Sequence, residues 1–298
     1  MVQKSRYRHV PVNIPGFPKS FGLMSAANAV DIERAVIFIH GFNGSAKGTW
    51  ADFAGLVDDK NTSRWWETAD LYFFHYQWNS MFESIPKNTN TVIQFIEHLF
   101  PTPPDDIFNT AGMGLRDNFS YKKLSLIGHS EGGLILRKVI LEIADADTRL
   151  EEYLRERLVK PMTEPSPQGI ELADIRLFAP AIGGESITGF FGLLTHSSVI
   201  APTLRLSAAK VGMNSTSSSV TEARASTRRY ADNCTMACFR AHILWADKDT
   251  IVNSERYQRD YQCKNLPTGT DHVKVCKPNP KYIRPLTFVE FGVVNGKC

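Results

Sequence analysis

The sequence predicts an α/β fold in which a mostly parallel sheet is covered by helices on both faces. Three observations carry this expectation. Short β-branched or aromatic runs alternate with helix-like stretches along the chain, the pattern of strands joined by crossover helices. Several runs are apolar at every position, as strands buried on both faces are. The length, 298 residues with 43% hydrophobic content, suits one large α/β domain with a core of its own.

The strands expected in order are Ala35–Ile39, Leu71–Tyr76, Leu124–Ile127, Ile175–Phe178 and His242–Trp245. Asn90–Phe100 and Leu134–Ile143 read as helices, the first with Asn90 or Thr91 as its cap. Arg149–Val159 carries both charge signs at helical spacing and reads as a solvated helix. Residues 101–122, with Pro101, Pro103, Pro104, Gly112 and Gly114, read as a surface excursion. Residues 181–233 begin apolar, with Phe190, Phe191, Leu193 and Leu194, and pass into a Ser/Thr-rich run. A long insertion between core strands is where a lid sits. No repeat or linker divides the chain, so residues 1–298 are expected to form one domain with a lid at about 181–233.

Composition narrows the function classes. A formal net charge of +3 without a dense basic run argues against a nucleic-acid partner. The basic residues among the first nine are not followed by an apolar stretch, so they do not read as a secretory signal. No segment approaches the roughly 18–20 apolar residues of a membrane span, and the expected compartment is the cytoplasm. Five cysteines, Cys234, Cys238, Cys263, Cys276 and Cys298, an odd number, are then expected as free thiols. Cys234 and Cys238 lack a second ligand pair at zinc spacing, so no metal is expected. Gly112-Met113-Gly114 lacks a third glycine and a preceding strand, so no nucleotide cofactor is expected either.

The chemistry-bearing motif is Gly128-His129-Ser130-Glu131-Gly132. It lies between an apolar strand and a helix-like run, the strand–turn–helix setting of a nucleophile elbow. In such a turn, residues two before and two after the serine come too close to neighbouring backbone for side chains. The turn lifts the hydroxyl to a helix N-terminus, where backbone N–H groups favour developing negative charge. A phosphate loop is the bland alternative, but its Lys-Ser/Thr ending is missing.

On these residues the chain resembles the α/β-hydrolase superfamily, whose order is oxyanion loop, elbow, acid and histidine. The resemblance implies the α/β-hydrolase fold and a triad led by Ser130. His40-Gly41-Phe42-Asn43-Gly44 looks like the family's oxyanion loop, with the Phe42 N–H expected to pair with that of Glu131 and His40 expected to brace the loop. Trp245-Ala246-Asp247-Lys248-Asp249-Thr250-Ile251-Val252 resembles the acid segment; its apolar Ile-Val pair selects Asp249 and leaves Asp247 as the alternative. His272 is the one histidine after that segment, hence the expected base. His272–Pro278 also resembles the terminal motif of lipase-like hydrolases related to the serine active-site-containing protein and to inositol-deacylase-type esterases. The Glu at 131 departs from the family, which more often has an uncharged residue there, and a carboxylate beside the nucleophile would disfavour anionic substrates.

The resemblance implies a serine esterase or lipase acting on a small-molecule or lipid ester without a cofactor. A thioesterase, acyltransferase or peptidase runs on the same triad, and a non-catalytic receptor on this fold stays open because fold alone does not fix activity. Ser130 excludes the carboxylate mechanism of dehalogenases and epoxide hydrolases, which need Asp at the elbow. Trp65, Trp66, Phe73, Phe74, Trp78 and Phe82 read first as core. If Phe190–Leu194 covers the site, it would line an acyl pocket and give a lid with peripheral membrane contact.

Overall fold

The computed structural model describes residues 7–12, 22–27, 31–41, 44–46, 48–51, 53–60, 63–75, 85–110, 116, 118–146, 173–183, 218–233, 239–252, 260–262 and 269–292. Among them are eight strands: β1 (Tyr7–Val12), β2 (Gly22–Ala27), β3 (Arg34–Ile39), β4 (Ala69–Phe74), β5 (Lys123–His129), β6 (Asp174–Phe178), β7 (His242–Leu244) and β8 (Tyr261–Gln262). The helices are α1 (Phe53–Lys60), α2 (Arg64–Glu67), α3 (Ile85–Leu99), α4 (Asp105–Thr110), α5 (Glu131–Ala146), α6 (Ser218–Asn233) and α7 (Arg284–Phe291).

The strands form one sheet in the order β1-β2-β4-β3-β5-β6-β7-β8. Only β2 runs against the rest, pairing antiparallel with both β1 and β4. From β4 across to β8 every pairing is parallel. The central strands β3 and β4 are buried at every position, as their apolar stretches 35–39 and 71–74 require of strands covered on both faces.

Ring contacts assign the two faces. Phe38 and Phe73 are register partners and stack at 4.5 Å, and Phe38 also meets Phe53 of α1 at 5.0 Å. Phe178, on the same face through Trp50, packs against Phe288 of α7. The opposite face carries Phe74, whose ring meets Phe95 of α3 at 4.4 Å. There α3 packs on α5 and α5 on α6. This topology, with its single reversed strand and helices on both faces, is the α/β-hydrolase fold.

Four features depart from the sequence reading or add to it. Helix α3 starts at Ile85, so Asn90 and Thr91 lie inside it; Thr91 Oγ1 bonds back to the Lys87 carbonyl and caps nothing. Pro86 belongs to the first turn, where a missing N–H costs no intrahelical bond, and Ile85, Asn88, Thr89, Val92, Phe95, Ile96 and Leu99 form one buried stripe. Residues 101–122 are not simply a surface excursion. They contain α4, with Ile107 and Phe108 buried. They also supply Arg116, which lies between Phe108 and Phe119 and pairs with buried Asp70 at 2.6 Å.

Third, the described end of the 181–233 insertion is helix α6, whose Val220, Ala223, Thr227 and Tyr230 are buried; residues 184–217 lie outside the described residues, as does the helix expected at Arg149–Val159. Fourth, α7 closes the described chain. Gly292, at φ 70°, caps its C-terminus, and its Glu290 bonds Ser63 Oγ and, at 2.9 Å, Trp66 Nε1. Trp66, Phe73 and Phe74 are core residues, Trp65 is partly buried beneath the Arg34 guanidinium, and Trp78 and Phe82 lie outside the described residues.

Candidate active site

Ser130 follows the last residue of β5 and precedes the first of α5, with φ at 55°. A non-glycine residue held in the left-handed region stores strain, and such strain gathers at functional turns. The strain is held by backbone bonds: Ser130 N–H donates to the Phe178 carbonyl, and the Ser130 carbonyl accepts from Gly133 and Ala181. The glycines are there for space. A Cβ on Gly128 would lie 2.9 Å from Gly133 Cα, and one on Gly132 would lie 2.4 Å from the Ile39 carbonyl oxygen. Gly133 has a neighbour the sequence did not reveal, since a Cβ there would lie 2.6 Å from Pro180 Cβ.

Three side chains from distant parts of the chain meet at this turn. His272 Nε2 lies 2.9 Å from Ser130 Oγ, and His272 Nδ1 lies 2.8 Å from Asp249 Oδ2. The other Asp249 oxygen accepts from the backbone N–H groups of Ile251 at 2.8 Å and Val252 at 3.1 Å. The apolar pair that selected Asp249 in the sequence thus supplies the amides that orient it. Asp247 faces elsewhere. Its two oxygens accept from the Gly269 and Thr270 amides, both at 3.1 Å, so it holds the loop leading to His272. Ser130 and His272 are buried, which keeps their hydrogen bonds in a medium of lower dielectric than water.

The loop after β3 approaches from the other side. A Cβ on Gly41 would lie 2.6 Å from Ser130 Cβ, so only glycine lets that backbone come this close to Ser130. His40 Nδ1–H donates to the Gly41 carbonyl at 2.8 Å, an oxygen that also accepts from Gly44. Burial holds the His40 ring at a pKa of about 4, so it braces the loop as a neutral imidazole. Phe42 lies outside the described residues. Glu131 opens α5, and its N–H is among the four amides that a helix leaves unsatisfied at its start.

The Glu131 carboxyl is buried, and burial pushes its pKa up to about 7. No hydrogen bond or ion pair to its side chain is found among the described residues. The helix N-terminus favours the carboxylate by only about 0.3–1 kcal/mol, less than the burial penalty. Because the folded pKa lies above the unfolded value near 4.5, the penalty is absent below that value and grows as pH rises to about 7. Glu131→Gln should therefore stabilise the fold by less than about 1 kcal/mol at pH 5 and by about 3 kcal/mol at pH 8.5. Urea midpoints at the two pH values measure this, and an equal gain at both would show that the carboxyl does not ionise in this range.

One neighbour of Ser130, Asp249 and His272 was not foreseen. His129 is also buried, and its Nε2–H donates to the His272 backbone carbonyl at 2.8 Å. The available signal was a histidine inside an apolar strand directly before the serine. Cys276 is a buried free thiol whose Sγ lies 3.4 Å from the Thr49 carbonyl, while the other four cysteines lie outside the described residues. No group of three or more His, Cys, Asp or Glu able to hold a metal ion occurs among the described residues. No described helix is long and apolar enough to cross a membrane.

No protein-family model matches the chain, and no curated protein matches it. Among solved structures, it is similar to the siderophore hydrolase EstB from Aspergillus fumigatus, with 13% identity over 94% of this chain and 97% of that one, at a TM-score of 0.47. It is also similar to carboxyl esterase 2 from Tuber melanosporum, with 14% identity, 97% and 85% coverage and a TM-score of 0.48. A third is the peroxisomal alpha-beta-hydrolase Lpx1 from Saccharomyces cerevisiae, with 9% identity, 97% and 89% coverage and a TM-score of 0.47.

Proposed function

We propose that the chain is a serine hydrolase that cleaves carboxylic esters through an acyl-enzyme on Ser130. The observation that carries this reading is the unbroken line from Asp249 Oδ2 through His272 to Ser130 Oγ, with steps of 2.8 and 2.9 Å. In it His272 Nε2 accepts the serine proton as Oγ attacks the ester carbonyl, then returns it to the departing alcohol oxygen. Asp249 holds the imidazole with its proton on Nδ1 and stabilises the charge that forms. The oxyanion is bound by the Glu131 N–H and by that of Phe42, and one such donor contributes about 3–4 kcal/mol. The resemblance of His272–Pro278 to lipase-like hydrolases favours an ester over an amide as the bond attacked.

Hydrolysis of p-nitrophenyl esters from acetate to palmitate tests the proposal, with Ser130→Ala as control. The expected result is serine-dependent release of p-nitrophenol. Its optimum in chain length separates small esters from lipid substrates, and an optimum at eight carbons or more favours a lid that lines an acyl pocket. No serine-dependent release from any ester defeats the ester reading. Thioesters and amides would then be assayed, followed by binding without turnover.

A further inference from the structure

The residue before the nucleophile and the residue carrying the base are joined by a bond the triad itself does not require. His129 is the last residue of β5, and its ring lies on the face that carries Phe38 and Phe178, 6.4 Å from Trp50 and 5.0 Å from the His272 ring. Its Nε2 is 2.8 Å from the carbonyl oxygen of His272. Other anchors of that loop act beside His272, among them Asp247 on Gly269 and Thr270, Lys248 N–H on the Thr270 carbonyl, and Asp271 on Val273 and Lys274. Asp249 holds the His272 ring, and the strand that ends at His129 supplies a contact to the His272 main chain.

We propose that His129 is a positioning residue for the general base, its Nε2–H fixing the His272 backbone and with it the reach of His272 Nε2 to Ser130 Oγ. This rests on the serine-hydrolase reading above. The bond demands a proton on Nε2, and a neutral ring can supply it. Burial, with the His272 ring nearby, depresses the His129 pKa to about 3, so the donor does not titrate where His272 has to work. A cationic ring 5.0 Å from His272 would oppose the imidazolium that forms when Ser130 gives up its proton. The site therefore uses two histidines with separate tasks, one kept neutral as a main-chain clamp and one free to take a proton.

The test uses the full chain and two readouts: p-nitrophenyl ester turnover, and the rate at which a fluorophosphonate labels Ser130. Displacement of a catalytic group by about 1 Å costs about a hundredfold. His129→Phe keeps the ring but lacks the donor, and should lose about that much in kcat and in labelling rate, with KM within about threefold. In a His272→Ala background the same change should cost nothing further, because the group it positions is gone. A merely structural role would cost the same in both backgrounds.

Should His129→Phe fail to fold, His129→Gln and His129→Asn decide the matter. Glutamine carries an N–H at about the reach of Nε2, and asparagine is one methylene too short. Gln should restore the rate to within about tenfold of wild type and Asn should not. Equal rates for the two overturn the proposal, as does wild-type labelling by His129→Phe or an undiminished penalty beside His272→Ala. If wild-type Ser130 is not labelled at all, the serine-hydrolase reading fails and the proposal falls with it. If it is labelled but no ester is turned over, labelling alone decides the role of His129.

Discussion

Ser130→Ala and His272→Ala should each lose at least about a thousandfold in kcat/KM, and the double variant should lose no more than the worse of the two. The reason is that the side chains act as one unit. A serine hydroxyl is a weak nucleophile until a base takes its proton, and an imidazole with no hydroxyl before it has nothing to activate. Comparable single and multiple knockouts of a serine protease triad cost about 10^6-fold, with about 10^3–10^4-fold over water left to the oxyanion donors and to binding. The donors proposed here are main-chain amides that both substitutions leave in place, so a small residual rate is expected. Rates on the preferred p-nitrophenyl ester, with fluorophosphonate labelling of each variant, measure this. Full activity in His272→Ala would falsify the proposed triad, and additive losses would show that Ser130 and His272 do not act on the same step.

Much of the fold was legible because its signals are local. The five strands read from apolar runs, at 35–39, 71–76, 124–127, 175–178 and 242–245, are the central strands β3 to β7 to within a few residues at each end. They are buried on both faces and mostly apolar, and the polar residues inside them are partnered, Ser125 by Arg34 and Arg176 by Asp174. The elbow was legible for a steric reason, since only glycine fits at 128 and 132 and the helix that follows is strongly apolar. The elements that went unread carry weaker signals. β1 contains Pro11, which an edge strand accommodates and an interior strand does not. The first turns of α3 lie under the polar run Lys87-Asn88-Thr89-Asn90. α4 is only six residues long and starts just after Pro103 and Pro104.

At the candidate site, the division is between spacing and direction. Spacing within a motif can be read from the chain, as with the glycines around Ser130. Direction across the chain cannot. Whether Asp247 or Asp249 faces a histidine 23 residues from the latter, and whether His129 meets a carbonyl 143 residues away, depends on how β5, β7 and the loop before α7 lie together. An aspartate in sequence is a charge at a position; only the fold determines which amides its oxygens accept.

That difference of direction makes the two aspartates separable by experiment. Asp249→Asn should lower kcat by about ten-thousandfold with little effect on the urea midpoint. The amide that replaces the carboxylate donates to His272 Nδ1, which pushes the imidazole proton onto Nε2. Ser130 Oγ then faces a donor where it needs an acceptor. The change is nearly isosteric, and the amide oxygen can still accept from Ile251 and Val252, so the loop itself should hold. Asp247→Asn should behave in the opposite way. It loses one of two acceptors for the Gly269 and Thr270 amides, a stability cost of about 0.5–1.5 kcal/mol for a bond that water can replace, while His272 keeps its partner and kcat falls by less than about tenfold. Measuring kcat and urea midpoint for both variants places each aspartate on one of two axes, chemistry or loop anchoring. A dead Asp247→Asn beside an active Asp249→Asn would move the acid to Asp247, and would require the loop to rearrange in solution so that the carboxylate now spent on two backbone amides turns toward the imidazole.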